Sequence, residues 1–340
     1  MVGTTEDKPD PDAVLAAFGV PGRVVAMTPV AGAWSNRVYR LTTSVGVYAV
    51  KHLRNPWNVA RWLEWLDAAW TLEARAHLAG IRMPEPVPNP ADGGCVAWVE
   101  SVAGTDPIPV RVHRWMDGSA LPPEPVGSEV AAWAGATLAT VHGLQVTTSD
   151  RTIFPIFNTD TADQWPELVS KARAAHAAWA ADLWELRPHA GRIAELAQEA
   201  GSTDEPEVMC HGDIDQKNIV LAPDGPVLCD WDVAMPLVPR RELADVALSL
   251  AGWRHLDVAR EVVRAYRCAG GAAEEIHPAD LGPAMSTRLD WLAFNVERAI
   301  GTRSAAVDEV ALSRRLVPEL IRDVPRQLAV ALRWPEKLAG

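Results

Sequence analysis

One segment constrains the fold of this chain more than any other: Met209-Cys210-His211-Gly212-Asp213-Ile214-Asp215-Gln216-Lys217-Asn218-Ile219-Val220-Leu221, followed by Pro226-Val227-Leu228-Cys229-Asp230-Trp231-Asp232. An apolar run enters a polar loop, Ile219 to Leu221 leave it, and a turn at Pro223-Asp224-Gly225 reverses the chain. Val227 and Leu228 then return to a second acidic cluster. The pattern predicts a β-hairpin with carboxylates gathered at one end. Asp213, Asn218 and Asp230 would converge there, offering a base, an amide oxygen and a carboxylate. Hard oxygen donors of this kind suit Mg²⁺ that keeps some waters and bridges phosphates. Two other readings stay open: a solvated turn rich in Asp and Asn, or a transition-metal site built from Cys210, His211, Asp213 and Cys229. Against the metal, no C-x-x-C or H-x-x-x-H spacing is present, and both cysteines follow apolar residues, as small buried hydrophobes do.

The 340 residues suit one large domain or two lobes. No apolar run reaches the length of a membrane span, and residues 1–11 are polar and acidic without a signal-peptide core, so a cytoplasmic protein with no membrane partner is expected. The formal net charge of −12 argues against nucleic acid as a partner and is compatible with a cationic substrate. Cys95, Cys210, Cys229 and Cys268 lack framework spacing and are expected as reduced thiols.

The pattern H-x-D-x-x-x-x-N from His211 to Asn218, with Asp230-Trp231-Asp232 beginning twelve residues after the Asn, resembles the catalytic and metal loops of the protein-kinase-like superfamily. Within it, HGD…N with DWD looks like the aminoglycoside phosphotransferase and choline kinase-like family. The resemblance implies an α+β, bilobal protein-kinase-like fold, with an N-terminal β-rich nucleotide lobe over residues 1–115 and a mostly helical lobe over 116–340. Residues 1–10 are expected to be flexible. It also implies transfer of the ATP γ-phosphoryl group to a hydroxyl of a small molecule, with ATP and Mg²⁺ as cofactors. Asp213 would be the base, Asn218 and Asp230 the metal ligands, and His211 a brace of the loop.

Upstream features follow the same order. A helix over Asp12 to Phe18 closes at Gly19, and strands Val24–Val30, Arg37–Thr43 and Val47–Leu53 form a meander. The turn Ala31-Gly32-Ala33-Trp34-Ser35-Asn36 resembles the loop that covers the nucleotide, with Ser35 near phosphate; a plain hairpin turn also fits these residues. Val47-Tyr48-Ala49-Val50-Lys51 resembles the strand whose lysine reaches the α- and β-phosphates. Its anchoring anion is expected on the helix Trp57–Leu78, as Glu73 first and Glu64 second. Strands Cys95–Val99 and Val110–Trp115 lead to the family's hinge, where backbone groups near His113, Arg114 and Trp115 would meet adenine.

Helices are expected over Ser128–Leu144, Ala162–Leu186, Gly191–Ala200, Leu256–Ala269, Ala279–Gly301 and Asp308–Leu332. Asp245-Val246-Ala247 resembles the family's D-L-A, whose acid braces the active site. Asp290 and Glu297, at i and i+7, share a helix face and are candidate ligands for a cationic acceptor, although a solvated face explains them equally well. Asp215 and Asp232 are further candidates for the acceptor side. Family analogy suggests an aminoglycoside or another sugar-bearing antibiotic as acceptor, with resistance as the role. Alternatives are a kinase of choline, homoserine or an amino sugar, and a nucleotide-binding pseudokinase.

Overall fold

The computed structural model describes residues 8–31, 36–55, 59–104, 106–155, 161–202, 204–272 and 275–338. They form two compact units. The first gathers residues 1–122, 144–154 and 209–236; the second gathers 123–143, 155–208 and 237–340. The chain therefore crosses between units several times, where the sequence suggested a single division at 115/116. The difference lies mainly in residues 209–236, the acidic hairpin segment, which pack with the β-rich unit.

In the first unit, α1 (Pro11–Phe18) starts at Asp10, whose side chain accepts from the Ala13 N–H, and ends at Gly19 in the left-handed region. Lys8 donates to the Met27 carbonyl and Pro9 bridges to Ser101, so residues 8–10 are tied down and not flexible as expected; residues 1–7 lie outside the described residues. Strands β1 (Val24–Val30), β2 (Arg37–Thr43) and β3 (Val47–His52) form the expected antiparallel meander. Helix α2 (Trp62–Leu78) follows; the expected start at Trp57 lies outside the described residues. The sheet is completed by β4 (Pro86–Val87), β5 (Ala97–Val99) and β6 (Ile108–Arg114), in the order β1-β2-β3-β6-β4 with β5 also on β6.

Strand alternation decides what this sheet presents. Leu41, Tyr48, Val50, Val110 and Val112 join Val14, Leu15 and Phe18 of α1 in one apolar cluster. Full burial of such a side chain is worth about 1.5–3 kcal/mol. Lys51, Arg111 and His113 occupy the intervening positions and so belong to the opposite face. Strand β7 (Ser119–Ala120) pairs with the hairpin of β9 (Ile219–Ala222) and β10 (Gly225–Leu228), while β8 (Val208–Cys210) and β11 (Met235–Leu237) form a two-stranded ladder.

The second unit contains α3 (Ser128–Gly143), α4 (Thr161–Ala174), α5 (Ala180–Glu185), α6 (Arg187–Gly201), α7 (Pro239–Leu250), α8 (Leu256–Cys268), α9 (Gly282–Ile300) and α10 (Val307–Arg333). The single helix expected over Ala162–Leu186 breaks after Ala174, where His176 adopts a positive φ of 52°. Helices α3 and α8 approach so closely at Gly135 that a Cβ there would lie 2.2 Å from the Val262 carbonyl oxygen. Buried His142 bridges Glu242 and Tyr266 at 2.7 and 2.9 Å, joining α3, α7 and α8 by polar contacts. Among the described residues no helix is long and apolar enough to cross a membrane.

Candidate active site

The loop before β9 is shaped by three residues. Gly212 has φ +81°, and a Cβ on it would meet the Val233 carbonyl oxygen at 2.9 Å, so any side chain there is both strained and obstructed. His211 is fully buried; its Nε2 donates to the Cys229 carbonyl at 3.1 Å, its Nδ1 accepts the Asp213 N–H, and its ring meets Trp231 edge to face. It thereby fastens the Asp213 loop to the segment carrying Asp230. Asn218 Nδ2 donates to the Asp213 carbonyl and to Asp213 Oδ2 at 2.8 and 2.9 Å, while the Cys229 N–H donates to the Asn218 carbonyl.

Asp213 is thus held from two sides, since Lys217 Nζ also donates to its Oδ1 at 2.7 Å. Burial pushes the Asp213 carboxyl up to about 6, against the pull of Lys217 toward the ionised form. A carboxylate with that value accepts a hydroxyl proton better than an ordinary one, and is still ionised at pH 7. Asp215 caps the short turn Gln216–Asn218 and lies 3.6 Å from Lys217, so its charge is directed into the loop.

Asp230 and Asp232, two residues apart, have opposite surroundings. Asp230 sits in the left-handed region (φ 65°, ψ 65°), a conformation that costs a non-glycine residue about 1–3 kcal/mol, and its side chain stays 42% exposed. Asp232 is 7% exposed: Arg111 donates to Oδ1, and Lys51 and Asn36 donate to Oδ2 at 2.7 and 3.1 Å. Burial opposes ionisation of Asp232, yet Lys51 and Arg111 hold its carboxyl well below the usual range. Both oxygens of Asp232 are therefore engaged inside the unit, unlike the acceptor contact expected of it.

Lys51 Nζ lies 2.7 Å from Asp230 Oδ1 and 2.7 Å from Asp232 Oδ2. Burial lowers the ammonium's basicity, but the two carboxylates outweigh it and raise the pKa. The anion expected from α2 is not its partner. Glu73 is taken by Arg111 and by His113 at 2.8 Å, and Glu64 pairs with Arg61 at the surface. Despite burial, Arg111 and His113 hold Glu73 down at about 2. The side chains of Arg111, His113 and Lys217 are not among the residues the motifs single out; the alternation Val110-Arg111-Val112-His113 carries the signal for two of them, since it puts both cations on the face opposite the valines.

At the expected hinge, the Arg114 N–H donates to the Glu85 carbonyl and the Trp115 N–H to the Val47 carbonyl. Arg114 pairs with Glu85 and lies over Tyr48, and Trp115 Nε1 donates to Asp117. Of the backbone groups expected to meet adenine, these two amides are therefore already spent inside the unit. Ser35 lies outside the described residues.

Of the carboxylates expected on the acceptor side, Asp290 and Glu297 belong to the helical unit. Asp290 accepts from Thr161 and Glu297 accepts from Arg303 at 2.9 Å; in the same unit Asp245 accepts from Arg288 at 2.8 Å. A recess of about 120 Å³ between α4 and α9 is lined by Thr161, Glu167, Lys171 and Glu297, with Lys171 paired to Glu167. Its charges are balanced within the unit, and Asp245 braces α7 against α9.

Residues 26–279 match the model of the family described as APH, phosphotransferase enzyme family. The chain belongs to this family. It is a phosphotransferase, and its fold is α+β and kinase-like. Among solved structures it resembles spectinomycin phosphotransferase APH(9)-Ia in complex with ADP and spectinomycin, with 12% identity, coverage of 93% of this chain and 97% of that one, and a TM-score of 0.64. An aminoglycoside phosphotransferase from Alicyclobacillus acidocaldarius gives 16%, 99%, 100% and 0.61. An ethanolamine kinase of Plasmodium vivax gives 14%, 96%, 88% and 0.56. At these identities the likeness concerns the fold. No curated protein matches the chain.

Proposed function

We propose that this phosphotransferase moves the γ-phosphoryl group of ATP to a hydroxyl of a sugar-bearing antibiotic such as an aminoglycoside, in the cytoplasm, and so confers resistance. The observation that carries the reaction is that one compact unit holds Lys51 on Asp230 and Asn218 on Asp213, the two pairs being joined where the N–H of Cys229, next to Asp230, donates to the Asn218 carbonyl. The donor set fits Mg²⁺. Asp230 keeps an exposed carboxylate edge, and Asn218, whose Nδ2 is spent on Asp213, would supply its amide oxygen as a ligand. When bound, Mg²⁺ would supply positive charge to the phosphates.

The protein's own groups do the rest. Lys51 exchanges its hold on Asp230 for the α- and β-phosphates. Asp213 orients the acceptor hydroxyl and takes its proton, and Lys217 keeps that carboxylate ionised. Asp215 adds negative charge on the acceptor side. ATP consumption by the purified protein across a panel of aminoglycosides, spectinomycin, peptide antibiotics, choline, ethanolamine, homoserine and amino sugars tests the reading. Turnover with an antibiotic supports it, turnover with a metabolite alone reassigns the role, and ADP binding without transfer to any acceptor would point to a pseudokinase.

A further inference from the structure

We propose that Arg111 is a positioning residue of this site: it takes the helix carboxylate Glu73 and one oxygen of Asp232, and so leaves the Lys51 ammonium free of α2 to pass from Asp230 to nucleotide phosphate. The inference rests on the reading of Lys51 as a phosphate ligand.

Register is the first support. Lys51 on β3 pairs directly with Arg111 on β6, and Ala49 with His113, so two cations lie side by side on one sheet face. Like charges placed opposite each other are unfavourable unless anions come between them. Three do: Glu73 from α2, and Asp230 and Asp232 from the segment after β10.

Partition of those anions is the second. Arg111 is 1% exposed and its two terminal nitrogens go to different carboxylates, Glu73 and Asp232. A planar guanidinium fork can span two acids in this way, whereas an ammonium is a point charge. His113 meets the remaining oxygen of Glu73. With both its oxygens claimed from β6, Glu73 is withdrawn from Lys51. What remains for Lys51 is Asp232, already neutralised from the other side, and Asp230, the more exposed of its partners. Departure of Lys51 toward phosphate then leaves no buried carboxylate unpaired, because Arg111 and Asn36 keep Asp232.

The test uses the full chain and two readouts. In double-mutant cycles on the urea midpoint, Glu73→Gln and Arg111→Met couple strongly: E73Q lowers the wild-type midpoint but raises that of R111M, which it relieves of a buried unpaired charge. E73Q and Lys51→Met are close to additive. In titrations with MgADP, R111M weakens affinity at least about tenfold and Arg111→Lys recovers only part of the loss. Should R111M not fold, Arg111→Gln, which also removes the charge, carries both comparisons with the same signs. A cycle in which Glu73 couples to Lys51 and not to Arg111 overturns the inference, as does R111M binding MgADP within twofold of wild type. Wild type that binds no ADP would instead sink the proposed function, while the Glu73 cycle still decides which cation holds that acid.

Discussion

The carboxylates held by Arg111 and those on α9 are chemically alike and physically unlike. Asp232 and Glu73 are nearly inaccessible and each is met by two cationic or potentially cationic groups, whereas Glu297 is half-buried and pairs with the exposed Arg303. A charge removed from the first setting leaves a partner stranded in a low dielectric; one removed from the second leaves a partner that water accepts. The lesson is that the functional weight of an acid in this molecule follows its surroundings and not its place in a motif.

That contrast can be broken by experiment. The largest effect is expected from Asp213→Asn, which should lower kcat by about 10²–10⁴-fold, the range of a lost general base, with ADP affinity nearly unchanged. Near-normal turnover would remove Asp213 from that role. Next, Arg111→Met should cost about 3–5 kcal/mol in urea unfolding, because it strands buried Glu73 and Asp232; a cost below about 1 kcal/mol would place the cluster with the surface pairs.

A pH profile sharpens the comparison further. A general base works only when ionised, so with Asp213 in the proposed role kcat/KM should fall as pH drops through about 6, the value to which burial raises its carboxyl. Lys217→Met removes a cation that favours the ionised form and should move this acid limb to higher pH; an unmoved limb would separate Lys217 from the base. The smallest effect belongs to Glu297→Gln. Loss of its pair with the exposed Arg303 should change stability by less than about 1 kcal/mol, and a larger loss would erase the distinction drawn between the two regions.

Much of this arrangement was legible in the residues themselves. The hairpin, the meander and the alternation that separates Lys51 from the apolar face all follow from period-two patterning, and the loop residues Gly212 and His211 sit where their chemistry requires. Pairing was not legible. Which cation meets Glu73 depends on the β3–β6 register, which brings Arg111 from sixty residues away in sequence to the side of Lys51. The same holds for the hinge: the amides of Arg114 and Trp115 look available in one strand and are consumed by Glu85 and Val47 once the sheet closes. On α9 the i,i+7 spacing located a shared face, but spacing carries no information on Thr161 or Arg303 as partners.

The central claim is that Asp230 and Asn218 present oxygen ligands for a metal that accompanies the nucleotide held by Lys51. Calorimetric titration of ADP with and without Mg²⁺, on wild type and Asp230→Asn, tests it most directly. The account predicts that Mg²⁺ tightens ADP binding to wild type at least about tenfold and leaves D230N unaffected; equal Mg²⁺ dependence in the two proteins would contradict it.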